Sequence, residues 1–220
     1  IDVYENEGKR GGAYSSGNSR PHPYVLLNHH DNLDSMFTLA HEMGHALHSY
    51  HSTKYQPVCT SDYVIFVAEV ASTVNELLMA HRKLNECKSD EEKLYILNQL
   101  METYKGTLYR QTMFAEFERD MHAMCEKGEP LTADKITNHY YNLVKLYFGK
   151  DVVCDKQIAY EWTRIPHFYT CFYVYKYATC ISAASAIVKR IETEGEAYIN
   201  KYIDFLKCGG SKSPLDSLLV

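Results

Sequence analysis

Asn32-Leu33-Asp34-Ser35-Met36-Phe37-Thr38-Leu39-Ala40-His41-Glu42-Met43-Gly44-His45-Ala46-Leu47-His48 is the stretch on which the fold turns. Leu33, Met36, Phe37, Ala40, Gly44 and Leu47 recur mostly at three- and four-residue spacing, the period of one helix face. Asp31 or Asn32 can cap the start, and Asp34 suits the first turn. The pattern predicts a helix over residues 32–51. Inside it stands His41-Glu42-Met43-Gly44-His45. Residues i and i+4 project from one helix face about a turn apart, so two imidazoles can converge on one metal ion. Glu42, beside them, is placed to take a proton from water on that metal. The competing reading is a solvated or core-satisfied helix face. The small residues Ala40 and Gly44 predict that a neighbouring element packs close to the motif.

Two histidines leave a catalytic zinc short of its usual three protein ligands. His48 shares the face of His41, but it sits about 10 Å along the axis from it, nearly out of reach of a metal nested between His41 and His45. Glu69 and Glu76 fall on a second predicted helix, residues 63–84, which can pack antiparallel to the first. Either carboxylate could face back to the metal, and spacing alone leaves both open.

The rest of the chain bounds the function. Its 220 residues, 45% apolar, leave room for a sizeable core. A net charge of −5 with no basic block argues against a nucleic-acid surface. No apolar run approaches the roughly 18 residues of a membrane span. The seven cysteines are odd in number and show no C-x-x-C pair, so reduced thiols in a cytoplasmic protein are expected. Nineteen tyrosines point to amphipathic lining surfaces or to a Tyr-rich core.

Residues 1–30 carry most of the strand signal. Gly8-Lys9-Arg10-Gly11-Gly12 precedes Ala13-Tyr14-Ser15-Ser16-Gly17, and Pro21-His22-Pro23 leads into Tyr24-Val25-Leu26-Leu27-Asn28. Two short strands around a Gly-rich turn are predicted. Further helices are predicted over 90–126, 132–148, 171–193 and 195–207, with breaks at Gly128–Pro130, Gly149, Pro166 and Gly209-Gly210. No repeat or domain-dividing linker is visible. The chain opens without Met inside a strand-and-turn segment, so it is expected to be a piece of a longer protein.

Several motifs in order carry a resemblance. Phe66-Val67-Ala68-Glu69-Val70-Ala71-Ser72-Thr73-Val74-Asn75-Glu76 follows His41-Glu42-Met43-Gly44-His45-Ala46-Leu47-His48-Ser49-Tyr50. Upstream lies Gly8-Lys9-Arg10-Gly11-Gly12-Ala13-Tyr14-Ser15. Downstream lie Arg164-Ile165-Pro166-His167-Phe168-Tyr169 and Phe172-Tyr173-Val174-Tyr175-Lys176-Tyr177-Ala178-Thr179. Over nearly its whole length the chain resembles the C-terminal catalytic part of the oligoendopeptidase F enzymes, zinc peptidases of the thimet oligopeptidase family. The resemblance implies Glu69 as the third zinc ligand. Glu76 becomes a helix-surface residue or a support for the ligands, and His48 a support or a cleft-wall residue. It implies that His167 and two tyrosines contact substrate or stabilise the tetrahedral intermediate, with Tyr175 the best match in the aromatic run and Tyr169 the loop candidate. Tyr173 is a candidate substrate contact, although Tyr173 and Tyr177 at i and i+4 also fit simple packing.

Gly12, Ala13 and Tyr14 read as a strand edge for an extended peptide, or as a turn that needs glycine dihedrals. His22, His29, His30, His51, His81, His122 and His139 show no ligand spacing with the motif and read as structural or surface residues. The resemblance therefore implies a mainly α, zincin-like metallopeptidase catalytic domain over residues 1–220 with a small β element near the N-terminus. It implies one zinc per chain, short peptide substrates, and the N-terminal half of a parent chain as the missing channel wall. The expected reaction is Glu-assisted attack of zinc-bound water on a peptide bond. The alternative is a non-catalytic zinc- and peptide-binding module using the same cleft. A non-haem iron oxidoreductase also suits two His and a carboxylate, but it has no need of Glu42.

Overall fold

In a computed structural model, which describes residues 1–17 and 22–219, helices dominate and a single two-stranded sheet lies near the N-terminus. Strand β1 (Tyr14–Ser16) pairs antiparallel with β2 (Tyr24–Leu26), with Tyr14 opposite Leu26. Both strands were legible in the sequence; Pro21, expected between them, lies outside the described residues. Asp2 bridges Leu26 on the far side of β2.

Helix α1 spans Leu33–Tyr55 and α2 spans Ile65–Glu86. Asn32 is the cap, its side chain accepting from the Ser35 amide at 2.8 Å, which satisfies one of the free donors of the first turn. α3 (Asp90–Tyr104) continues through a π-helical turn, Lys105–Tyr109, into α4 (Arg110–Glu126). The sequence pattern reads this as one helix over 90–126; the π turn accommodates one extra residue per turn and holds Gly106. α5 spans Ala133–Phe148 and ends at Gly149, as predicted. Two 3₁₀ segments follow, Lys156–Arg164 and Pro166–Tyr169. α6 (Tyr175–Glu194), α7 (Glu196–Lys207) and the short α8 (Pro214–Leu218) complete the chain.

The chain forms two compact units. The first comprises residues 1–100 and 180–220. Here α1 packs on α2, on both strands and on α7. Val25 and Leu27 close on Ala46, and Phe37 meets Ala80 and Ile96. The α1–α2 contact is close because Gly44 has no side chain: a Cβ there would lie 2.5 Å from the Ala71 carbonyl oxygen and 2.5 Å from Ser72 Cα. Asn75 Nδ2 donates to the Ala40 carbonyl at 3.2 Å, tying the same two helices. Ala40 and Gly44 thus do what their size predicts, whereas Leu47, expected in the apolar stripe, is 42% exposed. The buried positions of α1 include the polar Glu42, His48 and Ser52, so apolar periodicity alone misplaces its inner face.

The second unit comprises residues 101–179. Its core joins Met113, Phe114 and Phe117 of α4 to Tyr140, Leu143 and Val144 of α5, with Ile165 and Val174. Glu161 knots this unit together, accepting from Tyr140 Oη at 2.7 Å, Arg110 Nη2 at 2.5 Å and Arg164 Nη2 at 2.7 Å. Phe172, at φ 52°, delays the start of α6 to Tyr175, four residues later than its pattern predicts. All seven cysteines are free thiols. No helix among the described residues is long and apolar enough to cross a membrane.

Candidate metal centre

The i, i+4 spacing on α1 turns His41 and His45 to one side, and the close approach at Gly44 brings Glu69 of α2 opposite them. His41 Nε2 and His45 Nε2 lie 3.2 Å apart. Glu69 Oε2 is 3.3 Å from the first and 3.4 Å from the second. Three ligand atoms of a tetrahedral zinc, at bonds of roughly 2.0–2.1 Å, stand about 3.3–3.4 Å apart. The triangle therefore fits an ion of that size and geometry, with the fourth vertex left for another ligand. His41, His45 and Glu69 form the candidate metal-binding group among the described residues.

Glu76 lies two turns beyond Glu69 on α2 and is hydrogen-bonded to His41 Nδ1. That contact fixes the ring so that Nε2 faces His45 and Glu69, the arrangement by which carboxylates orient metal-binding histidines. Burial works against a charge on His41, but the carboxylates of Glu69 and Glu76 outweigh it and raise its pKa to about 10. Burial likewise raises Glu69, yet His41 and His45 prevail and hold it well below the usual carboxylate range.

Glu42 is buried, and its Oε2 has no hydrogen-bond partner among the described residues. Burial raises its pKa, opposed by His41 and His45. A carboxylate with a spare oxygen and an upward-shifted pKa, one residue from a metal-ligand candidate, is suited to accept and release a proton. His48 is buried. Its ring stacks on Tyr63 at 3.6 Å and meets Phe205 at 5.2 Å. Sequence reasoning missed the partner Tyr63, whose hydroxyl lies 2.9 Å from Ser49 Oγ. Nothing in spacing links residues 48 and 63 across a turn.

At the strands, Gly12 sits at φ 97°, so the glycine-dihedral reading of this turn holds. Asn28 Nδ2 donates to the Gly12 carbonyl at 2.8 Å and steadies the entry to β1. β1 pairs on one side only among the described residues, which leaves Ala13 and Tyr14 beside an unpaired strand edge. Tyr14 is exposed.

The second unit carries the remaining candidates. The ring of His167 lies 5.5 Å from that of Tyr173 and 6.0 Å from that of Tyr177, and the two tyrosines pack edge to face at 5.8 Å. The packing expected of Tyr173 and Tyr177 is therefore present, and it includes His167. Lys176, which sequence reasoning passed over, places its ammonium 3.4 Å from the Tyr173 ring centroid. Lys176 is buried, with no hydrogen-bond partner for Nζ among the described residues, so the ring faces are its stabilising contact. Tyr169 is 87% exposed and Tyr175 is 42% exposed. Of the histidines read as structural or surface, His139 pairs with Asp120 at 2.9 Å, His81 pairs with Glu192, and His122 stacks on Phe172.

Among known proteins, residues 1–219 match the family model described as Peptidase family M3. Oligopeptidase PepF of Bacillus subtilis (strain 168) is 53% identical over 218 residues, which is 99% of this chain and 32% of that protein. An oligoendopeptidase F homolog of Borreliella burgdorferi is 48% identical over 99% of this chain and 37% of its own length. The crystal structure of oligoendopeptidase-F from Enterococcus faecium aligns with a TM-score of 0.72 at 42% identity, covering 85% of this chain and 34% of that one. The chain spans about a third of the length of the curated relatives it matches.

Proposed function

The chain belongs to peptidase family M3, and from that premise we propose that it is the catalytic part, residues 1–220, of a zinc-dependent endopeptidase acting on short peptides. The observation that carries the reading is the triangle of His41 Nε2, His45 Nε2 and Glu69 Oε2, with edges of 3.2–3.4 Å, beside the spare buried oxygen of Glu42. His41, His45 and Glu69 would hold one zinc, and Glu76 would keep His41 turned towards it. Bound there, zinc would supply a Lewis acid that polarises a peptide carbonyl and makes water more acidic.

Glu42 takes the proton from the attacking water and passes it to the departing amine; its raised pKa suits both steps. His167 donates a hydrogen bond to the oxyanion that develops on the carbonyl, aided by the hydroxyl of Tyr175 or Tyr169. An extended peptide adds to the open edge at Gly12, Ala13 and Tyr14 through main-chain hydrogen bonds, with Tyr173 as a side-chain contact. Support for these roles comes from the edge of β1 that is unpaired among the described residues and from the grouping of His167 with Tyr173. The protein is assigned to the cytoplasm. The rest of its longer parent chain completes the substrate channel.

The test is cleavage of a peptide library by the zinc-loaded chain, with and without a chelator, alongside metal analysis. We expect about one zinc per chain, internal cleavage of short peptides, loss with chelator and recovery with added zinc. Hydrolysis that survives complete zinc removal, or a zinc-loaded full-length parent chain that cleaves nothing, refutes the assignment.

A further inference from the structure

Helix α4 presents Phe114, Glu118 and His122 at four-residue spacing, hence along one face. All three engage the segment that carries His167. Phe168 packs its ring 5.5 Å from that of Phe114 and 5.3 Å from that of Phe117. Glu118 Oε1 accepts the Phe172 amide at 2.6 Å. The Phe172 ring stacks on His122 at 4.5 Å. Between the two anchor points, residues 169–171 are exposed.

Phe172 is the non-glycine residue with positive φ among the described residues, at 52°. A bulky side chain in that region is strained and persists only when its surroundings over-determine it. Burial of the ring does not offset the strain, because Phe172 is 53% exposed. Glu118, by contrast, is 6% exposed, and a buried carboxylate is unfavourable unless it is hydrogen-bonded. Each oddity accounts for the other: the buried carboxylate holds the amide of the strained residue. The backbone direction at Phe172 sets where Tyr173 goes, and the Tyr173 ring lies 5.5 Å from His167.

We propose that Glu118 is a positioning residue: by holding the Phe172 amide it fixes His167 and Tyr173 relative to each other for catalysis. The assignment rests on the peptidase reading above. The core of this unit is closed by Phe114, Phe117 and Tyr140, so Glu118 serves the exposed segment and not the interior.

The experiment compares wild type, Glu118→Gln, Glu118→Ala and the double variant Glu118→Ala/Phe172→Gly at equal zinc occupancy. It reads amide exchange at residue 172, and kcat and KM on one fluorogenic peptide. Trp162 fluorescence, the single tryptophan, checks that the unit remains folded. Glu118→Ala should speed exchange of the Phe172 amide about tenfold or more, because a charged acceptor is lost. It should lower kcat by a comparable factor, with KM and zinc content unchanged. Glu118→Gln keeps an acceptor oxygen and should recover most of the kcat. Phe172→Gly, which adopts positive φ without strain, should restore much of it in the Glu118→Ala background. An unchanged Phe172 amide in Glu118→Ala, or a kcat loss that neither Gln nor Gly reduces, overturns the assignment. Hydrolysis indifferent to Glu118 refutes this assignment alone; no hydrolysis by the zinc-loaded full-length wild type refutes the peptidase reading and this assignment with it.

Discussion

Adding one methyl group at Gly44 tests the central geometric claim, that the closeness of α1 and α2 is what places Glu69. A Cβ at this position would stand 2.5 Å from the Ala71 oxygen and from Ser72 Cα, and 2.8 Å from the Ser72 nitrogen. These are backbone atoms, so no flexible side chain can swing aside. Ordinary contact needs about 3.4 Å or more, so α2 must retreat by about 1 Å. Glu69 lies one turn before these residues and retreats with it. Metal sites tolerate about 0.2 Å in their bond lengths, well below that displacement. Overpacking costs about 1–3 kcal/mol, and Gly→Ala within a helix returns about 1 kcal/mol. With backbone atoms as the obstacle, Gly44→Ala should lose about 1–2 kcal/mol of stability and weaken zinc binding at least tenfold, a loss of about 1.4 kcal/mol or more. Urea unfolding of the metal-free protein gives the first quantity, and zinc competition against a chelator of known affinity gives the second. If Gly44→Ala is as stable as wild type and binds zinc equally well, tight helix packing does not set the site.

Glu42→Gln should retain zinc and reduce kcat by at least a thousandfold, since a carboxamide cannot carry the proton; near-normal turnover in the zinc-replete variant would remove Glu42 from the mechanism. Glu69→Ala should abolish stoichiometric zinc binding, while Glu76→Ala, which only frees the His41 ring, should weaken it about 10–100-fold; metal analysis showing the reverse order would exchange their roles. His167→Ala should lower kcat about a hundredfold or more with zinc content unchanged, whereas a change confined to KM would make it a substrate-binding residue. Burial, with His45 and His51 nearby, lowers the pKa of His48 to about 3. Between that value and an unfolded value near 6.5 the unfolded chain binds the extra proton, so stability falls as pH drops through this window. From pH 7.5 to 4.5 the loss should be about 2–3 kcal/mol, and His48→Phe, which keeps the stack on Tyr63, should remove that part of the pH dependence. Equal pH dependence of the urea midpoints in wild type and His48→Phe would show that His48 is not the group responsible.

The first helix was legible because local rules agree on it: Asn32 caps it, and Ala40 and Gly44 mark its close contact. Which carboxylate would complete the candidate metal group was not legible from spacing. Residues 69 and 76 are seven apart on one helix, so they share a face. That shared face lets them flank a single imidazole, Glu69 at Nε2 and Glu76 at Nδ1 of His41. The question of which carboxylate meets the histidine has two answers, one per nitrogen. The surroundings of His48 were not legible because they include Phe205, more than 150 positions away, which no periodicity within α1 can reveal. The 3₁₀ segment at Lys156–Arg164 escaped because such turns lack the apolar period of a helix, and this one is organised by the ion pairs of Glu161. The late start of α6 follows from one strained residue, Phe172, held by a carboxylate from a different helix.

The first unit is assembled from both ends of the chain, with α1 and α2 near its beginning and α7 near its end. This gives synthesis and assembly a built-in order. As the chain leaves the ribosome, α1 and α2 are present together once residue 86 has emerged, and the short loop between them closes at little entropic cost. Helix α7, whose Phe205 covers His48 and whose end accepts the side chain of Gln56 through the Lys207 carbonyl, is translated more than a hundred residues later. Throughout that interval the histidine pair and its carboxylates can meet while α1 still lacks its contact with α7. The part that would do the chemistry is thus translated before the helix that shelters it.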